Sequence, residues 1–133
     1  HQGRLLIQQR APEKILWPDR WDVSIGGGVD AGETSRQAAE REFREELGYP
    51  LDLAGSRPFV TVNFPAGFDD FYIAVRDLDL GELTLQKEEV RAVRWATREE
   101  VLALVESGAF IPYPKSFVEY LFDTRETFGF PGK

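Results

Sequence analysis

Cysteine is absent from the 133 residues. Disulfides, thiolate catalysis and cysteine-based zinc sites are therefore excluded. A cysteine-free chain suits a reducing compartment, so a cytoplasmic location is expected. Histidine occurs once, at His1, and methionine not at all. A strand-like run, Arg4 to Gln9 (RLLIQQ), begins almost at once. The expectation is that an N-terminal segment, with a first strand as one candidate, is missing from this sequence. No apolar run approaches the ~18 residues of a membrane span, and none reads as a signal peptide; a membrane partner is not expected. Positive charge is short, with 16 Lys and Arg against 23 Asp and Glu and a net charge of -7. No basic cluster would hold a nucleic acid. Any anionic ligand would need an intermediary on so acidic a chain, and divalent cations are the natural one.

Apolar residues make up 42% of the chain and charged residues 29%, an ordinary globular mixture that can bury a core. Residues 1–133 read as one domain. Leu5–Gln9 reads as a buried strand, Ala11–Arg20 as a proline-bearing loop, and Trp21–Ile25 as a short alternating strand. Gly26, Gly27, Gly28 and Gly32 break regular structure. Thr34–Leu47 has the composition of a helix, and Gly48 stands where a helix stops. Pro58–Asn63 and Phe71–Arg76 are expected strands around a loop, FPAGFDD; Gly81–Leu85 and Val90–Trp95 are shorter ones. Thr97 to Glu100 is a capping-box pattern, which predicts a helix to Ser107 that turns Val101, Leu102, Leu104 and Val105 inward. A last amphipathic helix is expected over Ser116–Phe122. No repeat, linker or low-complexity tract interrupts this order, so the fold class is α/β or α+β.

The chemistry concentrates on the helix at 34–47. Glu42, Glu45 and Glu46 stand at i, i+3 and i+4, within roughly 100° of arc. Ala39, Phe43 and Leu47 form the apolar stripe beside them. Like charges so spaced disfavour a helix by a few tenths of a kcal/mol each, so a compensating cation is expected. Mg2+ fits, because it prefers carboxylate oxygens and leaves other positions to water and phosphate. A solvated acidic face is the simpler reading of three glutamates taken alone.

The flanking residues extend the pattern. Gly27 is followed at fixed intervals by Glu33, Arg41-Glu42, Glu45-Glu46 and Gly48, ending at Tyr49. This matches G-x5-E-x7-R-E-U-x-E-E-x-G-U, where U is a bulky aliphatic, at all seven fixed positions. The chain thus resembles the Nudix hydrolases, whose box here covers residues 27–49. Phe43 and Tyr49 are aromatic where aliphatics are usual, Ile25 replaces a common proline, and Gly28 replaces a larger residue.

The resemblance implies an α/β/α sandwich with a mixed sheet, and a Mg2+-dependent enzyme in which Mn2+ can substitute. By position, Glu42, Glu45, Glu46 and the carbonyl of Gly26 would be metal ligands. Glu45 or Glu42 would be the general base, with Glu89 as the third candidate. Glu89 is also the candidate for an extra carboxylate from a downstream loop, and Glu88 competes with it. Arg41 would orient the glutamates by pairing with Glu33. Gly27, with the other glycines, would let backbone approach a phosphate, and Gly48 ends the helix. Arg10 and Lys14 could hold phosphates, and Trp17, Trp21, Phe64, Phe68, Phe71 or Tyr72 could stack on a base. The implied reaction is hydrolysis of a phosphoanhydride in nucleoside 5'-diphosphates or triphosphates. Two other readings stay open. Gln9-Arg10-Ala11, Lys14, Pro18, Trp21-Asp22 and Ser24 resemble the subgroup that includes isopentenyl-diphosphate isomerase, which needs a cysteine and metal-binding histidines, whereas this chain has no cysteine and only His1. A catalytically silent Nudix-fold binding domain is the other, although such relatives usually lose box glutamates. Oligomeric state is not legible.

Overall fold

The computed structural model describes residues 2–127; His1 and residues 128–133 lie outside them. Strand β1 (Leu5–Arg10) is central to a three-stranded sheet in the order β2-β1-β5, with β2 at Trp21–Val23 and β5 at Val90–Ala96. Both pairings are antiparallel: Ile7 faces Val23 on one side and Arg94 on the other, with a register shift at Gln9/Arg10. Among the described residues, parallel character is confined to one bridge, Trp21 to Phe110.

The apolar run Leu5-Leu6-Ile7 makes sense because this sheet is covered on both faces. Successive side chains alternate across a strand. Ile7 enters a cluster with Ala96, Val101, Phe110, Val118 and Phe122, under helices α2 (Arg98–Ser107) and α3 (Lys115–Thr124). Leu6 enters the opposite cluster with Phe43, Leu47, Leu78 and Val90, under helix α1 (Ser35–Leu47). A fully buried side chain of this size contributes about 1.5–3 kcal/mol. The result is helix, sheet, helix, as the sequence led us to expect. Among the described residues, no helix is long and apolar enough to cross a membrane.

The helix expectations hold to within a few residues. The capping boxes are formed at Thr34 with Gln37 and at Thr97 with Glu100, and Gly48 and Gly108 end α1 and α2 in the left-handed region. The α1 stripe is shifted: Ala38 rather than Ala39 is the deeply buried alanine, and Glu46 joins Phe43 and Leu47 on the inward face.

Two strand expectations fail. The strand expected at Phe71–Arg76 lies earlier, as β4 (Gly67–Phe71), paired antiparallel with β3 (Val60–Phe64). Pro65 and Ala66 form its turn, so most of the expected FPAGFDD loop is strand. The β4 residues, GFDDF, are largely exposed and carry no alternation of apolar and polar residues to mark the strand. The strand expected at Gly81–Leu85 is a 3-10 turn at Leu80–Glu82, capped by the Asp79 side chain. Beyond it, Thr84 and Gln86 donate their N–H groups to the carbonyls of Leu47 and Glu46, both at 2.9 Å. Backbone donors that suggested a strand are spent on closing the end of α1.

Candidate active site

Helix α1 presents the site because both ends are pinned. Thr34 Oγ1 accepts from Gln37 N at 3.1 Å, and Thr34 N donates back to Gln37 Oε1 at 2.9 Å. At the other end Gly48 sits at φ 65°, and a Cβ there would lie 2.8 Å from that of Thr84.

The three helix glutamates have different environments. Glu46 is only 5% exposed, and its Oε1 accepts from Gln8 Nε2 at 3.2 Å. Gln8 also donates to the Ser24 carbonyl at 2.7 Å, so one amide ties β1, the glycine loop and the helix together. Burial first, then contact with the Glu42 carboxyl and the nearby charge of Glu89, hold the Glu46 carboxyl well above the usual range. Glu42 packs beneath the glycine loop: a Cβ at Gly27 would lie 2.4 Å from the Glu42 carboxyl carbon. That carboxyl is what requires Gly27 here, whereas at Gly26 and Gly28 a Cβ would meet nothing within 4 Å. Glu45 is about half exposed.

Arg41 organises the acidic groups. Its Nε and Nη2 donate to the two oxygens of Glu33 at 2.8 and 3.0 Å, a bidentate pair. Its Nη1 donates to Glu42 at 2.9 Å and Glu45 at 3.3 Å, and its Nη2 to the Gly28 carbonyl at 3.0 Å. The hydrogen bond from Arg41, with another from the Asp30 backbone, lowers the Glu33 carboxyl to about 2. In return Glu33 and Glu42 raise the guanidinium's own pKa. With Arg41 between Glu42 and Glu45, no three such side chains among the described residues stand together as a finished cation cage. The donor set nevertheless fits a hard divalent cation. Glu42 and Glu46 meet in a half-buried pocket, and bringing anionic carboxylates together there is costly without a countercharge.

The structure brings Glu89 to this group and leaves Glu88 exposed at the surface. The backbone carbonyl of Glu89 accepts from Ala11 N at 2.9 Å, and its carboxylate pairs with Lys14. Lys14 is therefore engaged with a carboxylate in this state. Arg10 is committed through Nε and Nη2 to the Leu16 carbonyl, at 3.1 and 2.9 Å. A cavity of about 870 Å³ opens beside the helix, lined in part by Gly26, Gly27, Gly28, Glu42 and the hairpin residues Phe64, Phe68 and Phe71. Phe68 is 61% exposed on its rim. Trp17 lies outside this lining, in a loop where Arg20 stacks over its ring at 5.5 Å, and Trp21 is half-buried under Arg94 in the opposite core cluster. Gln8 and Tyr113 carried no sequence signal, because each acts through a contact distant along the chain.

With this geometry in place, comparison with known proteins gives a consistent result. Residues 1–117 match the NUDIX domain. The chain belongs to the Nudix family, and it is a hydrolase of Nudix type. An uncharacterized Nudix hydrolase of Listeria innocua, lin0387, is 50% identical over 123 residues, covering 92% of this chain and 72% of that protein. The crystal structure of DR0079 from Deinococcus radiodurans aligns with a TM-score of 0.73 at 32% identity, over 89% of this chain and 74% of that one. A protein of Enterobacter named nucleoside triphosphatase NudI is 29% identical over 112 residues, covering 77% of this chain and 79% of that protein.

Proposed function

We propose that this protein is a Mg2+-dependent hydrolase of the phosphoanhydride bond in nucleoside 5'-diphosphates or triphosphates. One observation carries the reading: carboxyls of Glu42 and Glu46 meet, with Glu89 near, beside a cavity that can take a small molecule. The relative named as a nucleoside triphosphatase agrees with it. Glu42, Glu45, Glu46 and the Gly26 carbonyl are the residues that would hold the metal. Bound there, divalent cations would neutralise the diphosphate and acidify a water.

Glu45 or Glu42 takes the water's proton, and the oxygen bonds to one phosphorus as the bridging P–O bond breaks. Products are a monophosphate with phosphate from a diphosphate, or with pyrophosphate from a triphosphate. Arg41 keeps Glu42 and Glu45 in place and holds the glycine loop through the Gly28 carbonyl. Lys14 can pass from Glu89 to a substrate phosphate, and Arg10 stands on the adjoining strand. Phe68 is available to stack. Domain limits of 1–133 and a cytoplasmic setting accompany this reading.

The test is a phosphate-release screen with Mg2+ or Mn2+ over nucleoside di- and triphosphates, nucleotide sugars and dinucleotides. Turnover of nucleoside 5'-diphosphates, with triphosphates next, is expected. Turnover of nucleotide sugars or dinucleotides alone would overturn the substrate class and leave the family membership standing.

A further inference from the structure

The cavity lining includes a carboxylate that the hydrolytic chemistry does not use. Asp22 is on β2, opposite Gln8 of β1, and only 7% exposed. Directly paired residues share a face, so Asp22 lies on the α1 side of the sheet. Its Oδ1 accepts twice, from Val23 N at 2.7 Å and from the Tyr113 hydroxyl at 3.1 Å. Its Oδ2 is ion-paired with Arg10, 3.8 Å from Nη1, a separation too long for a hydrogen bond. Among the described residues Oδ2 has no hydrogen bond. A buried carboxylate normally spends its acceptor capacity, and this one keeps an edge free while Asp22, Tyr113 and Asp69 all line the cavity.

Position along the chain relates this edge to the phosphate end. Asp22 precedes Gly26 by four residues, so the two are at most roughly 13 Å apart. Gly26, Glu42 and Asp22 line one cavity, so a nucleoside whose phosphates lie at Gly26 and Glu42 has Asp22 within the span of its sugar and base. We infer that Asp22 is a specificity-determining residue, whose free Oδ2 accepts an N–H from the amino-bearing edge of the substrate's nucleobase while Tyr113 holds the carboxylate in place. The inference rests on the nucleotide reading above and adds which bases are chosen. Electrostatics agree. Burial raises the Asp22 carboxyl to about 6, with Asp69 adding and Val23, Tyr113 and Arg10 opposing, so it is anionic at pH 7.5. Arg10 is ion-paired with this edge but too far to hydrogen-bond it, so Oδ2 can still accept from an amino group, whereas a carbonyl would offer it no proton.

Asp22→Asn separates this role from a structural one. Oδ1 must remain an acceptor for Val23 and Tyr113, so the amide NH2 replaces Oδ2 at the cavity, and an acceptor becomes a donor. The measurement is calorimetric affinity at pH 7.5 for nucleoside 5'-monophosphates in pairs that differ by an amino group: CMP against UMP, AMP against IMP, GMP against IMP. Thermal unfolding establishes that each variant is folded, and Asp22→Ala provides a second variant. At least one pair should favour the amino partner about tenfold in the wild type. That preference should vanish or reverse in Asp22→Asn, vanish in Asp22→Ala, and weaken in Tyr113→Phe. Equal changes across each pair, or none, would overturn the inference and leave the nucleotide reading intact. So would a lost preference for ribo- over deoxyribonucleotides with base preference unchanged, since the carboxylate would then read the sugar. Absence of any nucleotide binding, with hydrolysis of other diphosphates, would overturn both.

Discussion

Asp22 and Glu46 are buried carboxyls raised by the same force, the cost of taking a charge out of water. The consequence for stability follows from the sign of the shift. Asp22 has a folded pKa of about 6 against an ordinary 3.8. The folded state therefore holds the proton more tightly than the unfolded chain. This stabilisation is complete below the unfolded value and disappears as pH rises through 6. The shift corresponds to on the order of 2–3 kcal/mol. Asp22→Asn should thus melt above the wild type at pH 8, and the gap should close toward pH 4. Parallel melting curves across that range would show that Asp22 is not desolvated as described. The glutamates of the proposed site give a second expectation. Glu45 is half exposed and shares only Arg41, so Glu45→Gln should fold normally yet lose at least about a hundredfold in turnover, near 2.7 kcal/mol of barrier. Glu46→Gln should also lose activity but raise the metal-free melting temperature at neutral pH, because it removes the cost of taking a carboxylate out of water on folding. Full activity in Glu45→Gln by the phosphate-release assay would end its assignment as ligand or base.

At the scale of elements, termini rather than interiors position the site. Gly48 ends α1 in the left-handed region with Thr84 packed where a Cβ would go. Gly48→Ala should cost about 1–2 kcal/mol through the strained backbone and the clash. Gly28 has open space and no positive φ, so Gly28→Ala should stay within about 0.5 kcal/mol of the wild type. Denaturant unfolding measures both, and equal costs would contradict this account of the C-cap. The same contrast explains which elements could be read in advance. Helices α1 and α2 carry their stop and start signals locally, in Thr34 with Gln37, Thr97 with Glu100, Gly48 and Gly108. Strand β4, GFDDF, carries almost no apolar alternation, and the 80–86 segment takes its shape from the carbonyls at the end of α1. Neither partner is visible from a local window.

Over the whole molecule, the proposed site draws on residues far apart in the chain. Glu89 lies before β5, yet it reaches Lys14 and raises the carboxyl of Glu46. Glu89→Gln should lower turnover at least tenfold, about 1.4 kcal/mol of barrier, while Glu88→Gln stays near the wild type. Equal, small effects in steady-state assays would leave the helix as the only source of carboxylates. The sequence by itself determined the family pattern, the site helix and its caps, because these depend on spacing along 23 consecutive residues, 27–49. Only the tertiary structure decided that Glu46 is buried against Gln8, that Gly27 makes room for Glu42, and that Asp22 keeps one oxygen free at the cavity. Each of these depends on strands paired across long stretches of chain. Burial, and hence carboxyl protonation, is a property of what packs against a residue rather than of its neighbours in sequence.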